Sequence, residues 1–292
     1  MSPTILQIAL LAVVQGAAEL LPVSSSAHVI VAEKLMGLDP SSPQMTFILV
    51  MLHTGTMGAV VLYFWKSWRR SFFPSADRFR DAAMRAVLAT AMTVVVAFPL
   101  KLAIEKVVLR GQPHAEVEQL FSNLPLMAAS LAVAGALVVA AGLRSRSPEA
   151  APGAPGELIA GPQALWMGVV PGFCIPFRGL SRSGATISSA ILMGVPRRPA
   201  EEFSFALAVV ITPAFIVQES LRFMRTWTAV AKGAEVAALA LPGLLGMACS
   251  FAAGLVALVW LSGWLEKGKW HYFGIYCFAA AAGVGAMAAM GY

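Results

Sequence analysis

Charged side chains are scarce in this sequence: Asp, Glu, Lys and Arg together make up 12% of its 292 residues, about half of the roughly 25% usual in soluble domains. So few charges exclude an ordinary soluble globular chain and imply an integral membrane protein. Cysteine is nearly absent. Cys174, Cys249 and Cys277 are an odd number without metal-ligand spacing; they argue against a zinc site and say little about redox compartment. The stretch from Met1 to Val14 lacks the charged n-region of a cleavable signal, so its helix is expected to remain in the mature protein.

What is abundant is apolar sequence, 58% of the chain. Six full membrane spans are expected over residues 46–64, 82–103, 124–143, 200–220, 236–263 and 272–290. Residues 3–37 and 160–195 differ: each holds two short helical runs interrupted by a polar, Gly- or Pro-containing turn. Such turns lie at membrane depth only where protein or a watery cavity satisfies their backbone groups. The expected fold is therefore an all-α integral membrane protein of six transmembrane helices and two re-entrant helical hairpins.

The two hairpins resemble each other. "VSSSAHVIVAEKLMGL" laid over "LSRSGATISSAILMGV" brings Ser24, Ser26 and Gly37 onto Ser181, Ser183 and Gly194, and one further residue of slip brings Thr54 of "LHTGTMG" onto Thr212 of "VITPAFI". The formal charge of +6 is concentrated at span ends, where Lys66 to Arg70 and Arg144 to Arg146 read as topology signals and headgroup contacts, with no nucleic-acid partner implied. Both basic runs fall on the cytoplasmic side of one consistent count, although Arg222, Arg225 and Lys232 fall outside. That count makes the halves inverted-topology repeats within a single membrane domain spanning 1–292. Repeat 1 covers about 1–146 and repeat 2 about 158–292, joined by an exposed linker, Ser147 to Glu157 ("SPEAAPGAPGE").

The chemistry sits in the interrupted hairpins. In "QGAAELLPVSSSAH", Gln15 and Glu19 share one helix face, and Pro22 stops that helix ahead of Ser24, Ser25 and Ser26. A carboxylate in a membrane segment is costly and marks a functional site or a structural ion pair. Ser25 is the expected nucleophile, with His28 or Glu19 taking its proton, while Ser24 and Ser26 cap the next helix or meet substrate. In "PGFCIPFRGLSRSGAT", Gly179 permits a tight turn, and Ser181, Arg182, Ser183 and Thr186 open a helix whose N-terminus suits a phosphate oxyanion. Arg178 is either a second phosphate ligand or a snorkelling side chain. Gln15 and Glu19 are candidate ligands for a divalent cation, Mg2+ or Ca2+. Together the set suits phosphoryl transfer from a lipid-anchored phosphate. A transporter or flippase that carries a lipid phosphate through the same anion site is the alternative.

The two motifs resemble the paired signatures of the undecaprenyl-diphosphate phosphatase family, also called the bacitracin-resistance protein family. Gln15, Glu19, Ser24, Ser25 and His28 fill the places of the first; Pro171, Gly172, Ser181, Arg182, Ser183 and Thr186 match the second. The resemblance implies hydrolysis of undecaprenyl diphosphate to the monophosphate, a polyprenyl diphosphate lipid as substrate, and a bacterial inner-membrane enzyme with its site open to the outer, periplasmic side. A homodimer is compatible with the same reading. Gln15 stands where many members have Glu, removing one charge from a cation site. "FCIPFRGL" lengthens the second loop, which must therefore bulge.

Overall fold

A computed structural model describes residues 3–39, 42–108, 120–121, 123–144, 159–227 and 233–291. The linker Ser147 to Glu157 and Lys232 lie outside these. The described residues form ten α-helices and no strand: α1 (Ile5–Leu20), α2 (Ser25–Leu35), α3 (Pro43–Ser71), α4 (Ala76–Ala103), α5 (Leu124–Arg144), α6 (Gly161–Cys174), α7 (Arg182–Leu192), α8 (Arg197–Trp227), α9 (Gly233–Glu266) and α10 (His271–Ala289). A π-helical turn, Ile104–Val108, extends α4. Six helices are long and apolar enough to cross a membrane: Gln44–Ser71, Ala76–Val107, Leu124–Arg144, Arg197–Leu221, Leu239–Glu266 and His271–Ala289. Helices dominate because lipid offers no partner for a backbone N–H or C=O, and a helix satisfies both internally.

Each expected span is present, but α3 continues through Lys66 to Arg70, which the hydropathy pattern assigns to a loop. Arg69 and Arg70 occupy its last turn, where cations complement the helix dipole. Tertiary bonds hold the extension: Ser67 and Ser71 donate to the Glu202 carboxylate at 2.5 and 3.2 Å, and the Trp68 indole donates to the Glu202 carbonyl at 3.1 Å.

The chain clusters into two compact units. The first comprises Met1–Leu20, Ser25–Tyr63 and Ala208–Trp260; the second comprises Leu21–Ser24, Phe64–Leu207 and Leu261–Tyr292. In the first, α1 and α2 form an antiparallel pair with α3 against it, around Ile8, Leu11, Ala12, Val29, Leu38, Met45, Ile48 and Leu52. α9 approaches closely, since a Cβ on Gly16 would lie 2.6 Å from the Ser250 carbonyl oxygen, and Ser250 Oγ donates to the Leu52 carbonyl at 2.9 Å.

In the second unit α5 packs on α10 through mutual glycine contacts, Gly135 against the Gly274 carbonyl and the reverse. α4 meets α6 where Thr93 Oγ1 donates to the Gly168 carbonyl at 2.7 Å and where any Cβ on Gly168 would collide with the Ala89 backbone. Gly168→Ala is therefore expected to cost about 1–3 kcal/mol through overpacking. Gly283→Ala, with open space around the added methyl, is neutral or slightly stabilising. Melting temperatures in detergent check the contrast.

The two short helix pairs share local geometry. Gln7 Nε2 donates to the Met36 carbonyl at 3.2 Å, tying the start of α1 to the end of α2, and Gln163 Nε2 donates to the Met193 carbonyl at 3.4 Å, tying α6 to α7 in the same way. Ser24 and Ser181, each just before the second helix, have positive φ of 69° and 37°. Gly37 and Gly194, each just after it, also lie in the left-handed region. Each pair thus has a glutamine tie between its two helices and left-handed residues before and after its second helix.

Candidate active site

In the first unit, α1 brings Gln15 and Glu19 onto one face. Gln15 is 1% exposed, and its Nε2 donates to Glu19 Oε2 at 3.2 Å. The chain then turns at Leu21 to Ser24, so that Ser25 opens α2 facing back toward α1. Its hydroxyl donates to the same Glu19 Oε2 at 2.5 Å, in the short range of a charge-assisted O–H···O⁻ bond. A hydroxyl so held is polarised toward proton loss, the arrangement of a nucleophile beside its base. Ser26 and His28 follow, each half-buried on α2. A residue that sequence reasoning missed joins them: His53 of α3, whose Nε2 lies 3.8 Å from Glu19 Oε2 and whose Nδ1 faces the Leu49 carbonyl at 2.8 Å. Its only signal in the sequence is a lone imidazole within an otherwise apolar span.

In the second unit, α7 starts at Arg182. Ser181 caps it, its hydroxyl accepting from the Gly184 N–H at 3.2 Å. Ser183, Gly184 and Thr186 are buried within the first turns. Thr186 is 1% exposed, and among the described residues its hydroxyl has no hydrogen-bond partner, an arrangement that costs about 1–3 kcal/mol unless something fills the need. The Leu21 to Ser24 turn seats against this helix start: Ser183 Oγ donates to the Leu21 carbonyl at 3.4 Å, Cys277 Sγ donates to the Pro22 carbonyl at 3.3 Å, and a Cβ on Gly184 would come within 3.0 Å of Pro22 Cβ. Ser24 itself is buried in that turn.

In the second loop Gly179, at φ 106°, lies against the Met127 carbonyl. Pro171 and Gly172, matched to the loop motif by sequence, are instead inside α6, where Gly172 packs on Thr93 and Val96 of α4; the turn glycine is Gly179. Arg178 places its guanidinium 4.1 Å above the Phe121 ring, a cation–π contact.

The donor set around Glu19 bears on a cation. One carboxylate and one amide converge there, and among the described residues no group of three or more His, Cys, Asp and Glu side chains could hold a metal. Mg2+ is commonly held by one or two carboxylates together with substrate phosphates, so these residues fit a cation that arrives with a diphosphate.

The fold and these groups define a polytopic helical membrane protein that holds a carboxylate-bonded serine at one helix start and an arginine-bearing, hydroxyl-lined turn at another. The chain belongs to the bacitracin resistance protein BacA family, whose model matches residues 8–283. It is 52% identical over 277 residues to undecaprenyl-diphosphatase 2 of Acinetobacter baylyi, covering 94% of this chain and 95% of that protein. It is also 31% identical to the undecaprenyl-diphosphatases of Desulfosudis oleivorans, over 92% of this chain and 93% of the relative, and Desulfatibacillum aliphaticivorans, over 96% and 97%.

Proposed function

We propose that this protein is a membrane phosphatase that hydrolyses undecaprenyl diphosphate to undecaprenyl phosphate and inorganic phosphate, recycling the lipid carrier of cell-wall synthesis. The observation that carries the reading is the 2.5 Å hydrogen bond from Ser25 to Glu19 in a chain whose 52% identical relative is named for this activity.

Ser25 Oγ attacks the terminal phosphorus and its proton passes to Glu19. The bond from phosphorus to the bridging oxygen breaks, and undecaprenyl phosphate leaves with the proton that Glu19 gives up to it. Water, deprotonated by Glu19 or His28, then attacks the phosphoserine; the bond from phosphorus to the serine oxygen breaks, inorganic phosphate leaves and the water's proton restores the Ser25 hydroxyl. Arg182, with Ser181, Ser183 and Thr186, steadies the equatorial oxygens; Ser24, Ser26 and Arg178 line the phosphate path. Assigning both hairpins to one headgroup rests on the resemblance of the two motifs to the paired signatures of the family. Gln15 and Glu19 would hold a divalent cation, Mg2+ or Ca2+, which when bound neutralises part of the diphosphate charge.

The hairpins are re-entrant, the halves are inverted repeats and the site opens to the periplasmic face of the bacterial inner membrane. Support comes from the matched local geometry of the two helix pairs and from the lipid-borne substrate. The isoprenoid chain lies along apolar helices, where burial recognises it. That same repeat geometry favours lipid transport as the second reading.

Purified protein in detergent, where no sidedness exists, releases inorganic phosphate from a polyprenyl diphosphate under the first reading. A pure transporter releases none. Chelation with EDTA slows release, and added Mg2+ or Ca2+ restores it; turnover indifferent to EDTA removes the cation.

A further inference from the structure

The segment "LHTGT" enters the repeat comparison only through Thr54, and its histidine has no part in the reaction as set out above. We infer that His53 is a positioning residue: its imidazole, reaching in from α3, holds the Glu19 carboxylate so that Oε2 faces the Ser25 hydroxyl. The inference rests on the phosphatase reading, whose base it positions.

A glutamate side chain has three rotatable torsions, so holding one carboxylate oxygen toward Ser25 takes contacts from more than one direction. Gln15 lies one turn back on the same helix and restrains Glu19 along the α1 axis. Ser25 is the group to be activated, so its bond cannot also be the fixed support through the reaction. His53, on a separate helix, approaches from another direction, its Nε2 3.8 Å from the shared oxygen. That separation exceeds a direct hydrogen bond; with Nδ1 donating to the Leu49 carbonyl, Nε2 presents a lone pair, and one bridging water that donates to both Nε2 and Glu19 Oε2 closes the gap.

The ring is mounted for this purpose at both ends. Its Nδ1 meets the Leu49 carbonyl of the preceding turn at 2.8 Å, which turns Nε2 toward Glu19. The α3 backbone at this level is itself fixed. Leu52 is fully buried and its carbonyl takes the Ser250 hydroxyl, while a Cβ on Gly55 would strike the Met247 carbonyl of α9. A purely packing role fits less well, because the histidine side chain is 20% exposed and Glu19 15%, so neither is sealed within the core.

The test compares His53→Ala and His53→Gln with wild type, all checked for equal melting temperature in detergent. His53→Ala is expected to lower kcat by about 30- to 100-fold with KM changed less than about threefold, the cost of a misplaced base. His53→Gln, whose amide N–H reaches toward the same oxygen, restores most of the loss. A His53→Ala enzyme with wild-type kcat, or a glutamine variant no better than alanine, overturns the inference. Carbodiimide labelling of Glu19, read by mass spectrometry without substrate, decides it independently of turnover. The labelling rate is expected to change in His53→Ala and to return toward wild type in His53→Gln, and identical rates in all three proteins overturn the positioning role. Wild-type protein that releases no phosphate while its labelling still depends on His53 sinks the phosphatase reading and supports the contact.

Discussion

Ser25→Ala is expected to lower kcat for phosphate release by at least about 10³-fold, because a nucleophile and its base act as one unit. Glu19→Gln keeps the shape and removes the proton acceptor, and its expected loss is about 10²- to 10⁴-fold, the range of general-base catalysis. The double variant should be scarcely worse than the poorer single one, since Ser25 and Glu19 share one hydrogen bond of 2.5 Å and removing either disables the other. Rapid quench of the wild-type reaction should trap a phosphorylated peptide containing Ser25. No trapped peptide, together with a Ser25→Ala variant of near-normal turnover, would transfer the attack to a water held by Glu19.

Arg182→Ala is the second large effect. The residue opens α7 beside the Ser181 cap and the unsatisfied Thr186 hydroxyl, where charge develops on the equatorial oxygens under the proposed reaction. Loss of one such stabilising group costs about 10²- to 10³-fold in kcat. Arg182→Lys should recover little, because a point charge cannot reproduce two parallel N–H donors. The measurement is kcat and KM on the same polyprenyl diphosphate, with melting temperature as the folding control. An alanine variant with normal turnover would remove the anion site from the mechanism.

Much of this architecture is legible in the sequence because lipid imposes simple rules on length and polarity. The six spans follow from apolar runs long enough to cross, and the two short helix pairs follow from Pro22 and from the Pro176 to Gly179 stretch, which interrupt runs that would otherwise continue. The pairing of Gln15 with Glu19 follows from helical periodicity, and Pro22 marks where Ser25 can face back. Local patterns do not carry partners that lie far along the chain. His53 looks like any imidazole in a span until α3 is laid beside α1. The end of α3 was hidden similarly: hydropathy stops a helix at Lys66, whereas the helix persists because Ser67 and Ser71 bond to Glu202, far along the sequence. Glu201 and Glu202 themselves read as the polar start of a span, yet both are buried, with donors from Ser262, Ser67, Ser71 and Arg198. Pro171 and Gly172 lie inside α6, which runs on to Cys174, a boundary that residue type alone does not mark.

The left-handed backbone at Ser24 and Ser181 sets two opposing costs against each other. Glycine adopts that conformation without penalty, whereas a residue with a side chain bears strain of about 1–3 kcal/mol. A glycine at Ser181 would release that strain and at the same time strip the Gly184 N–H of its acceptor, so the corner trades backbone ease for a satisfied helix start.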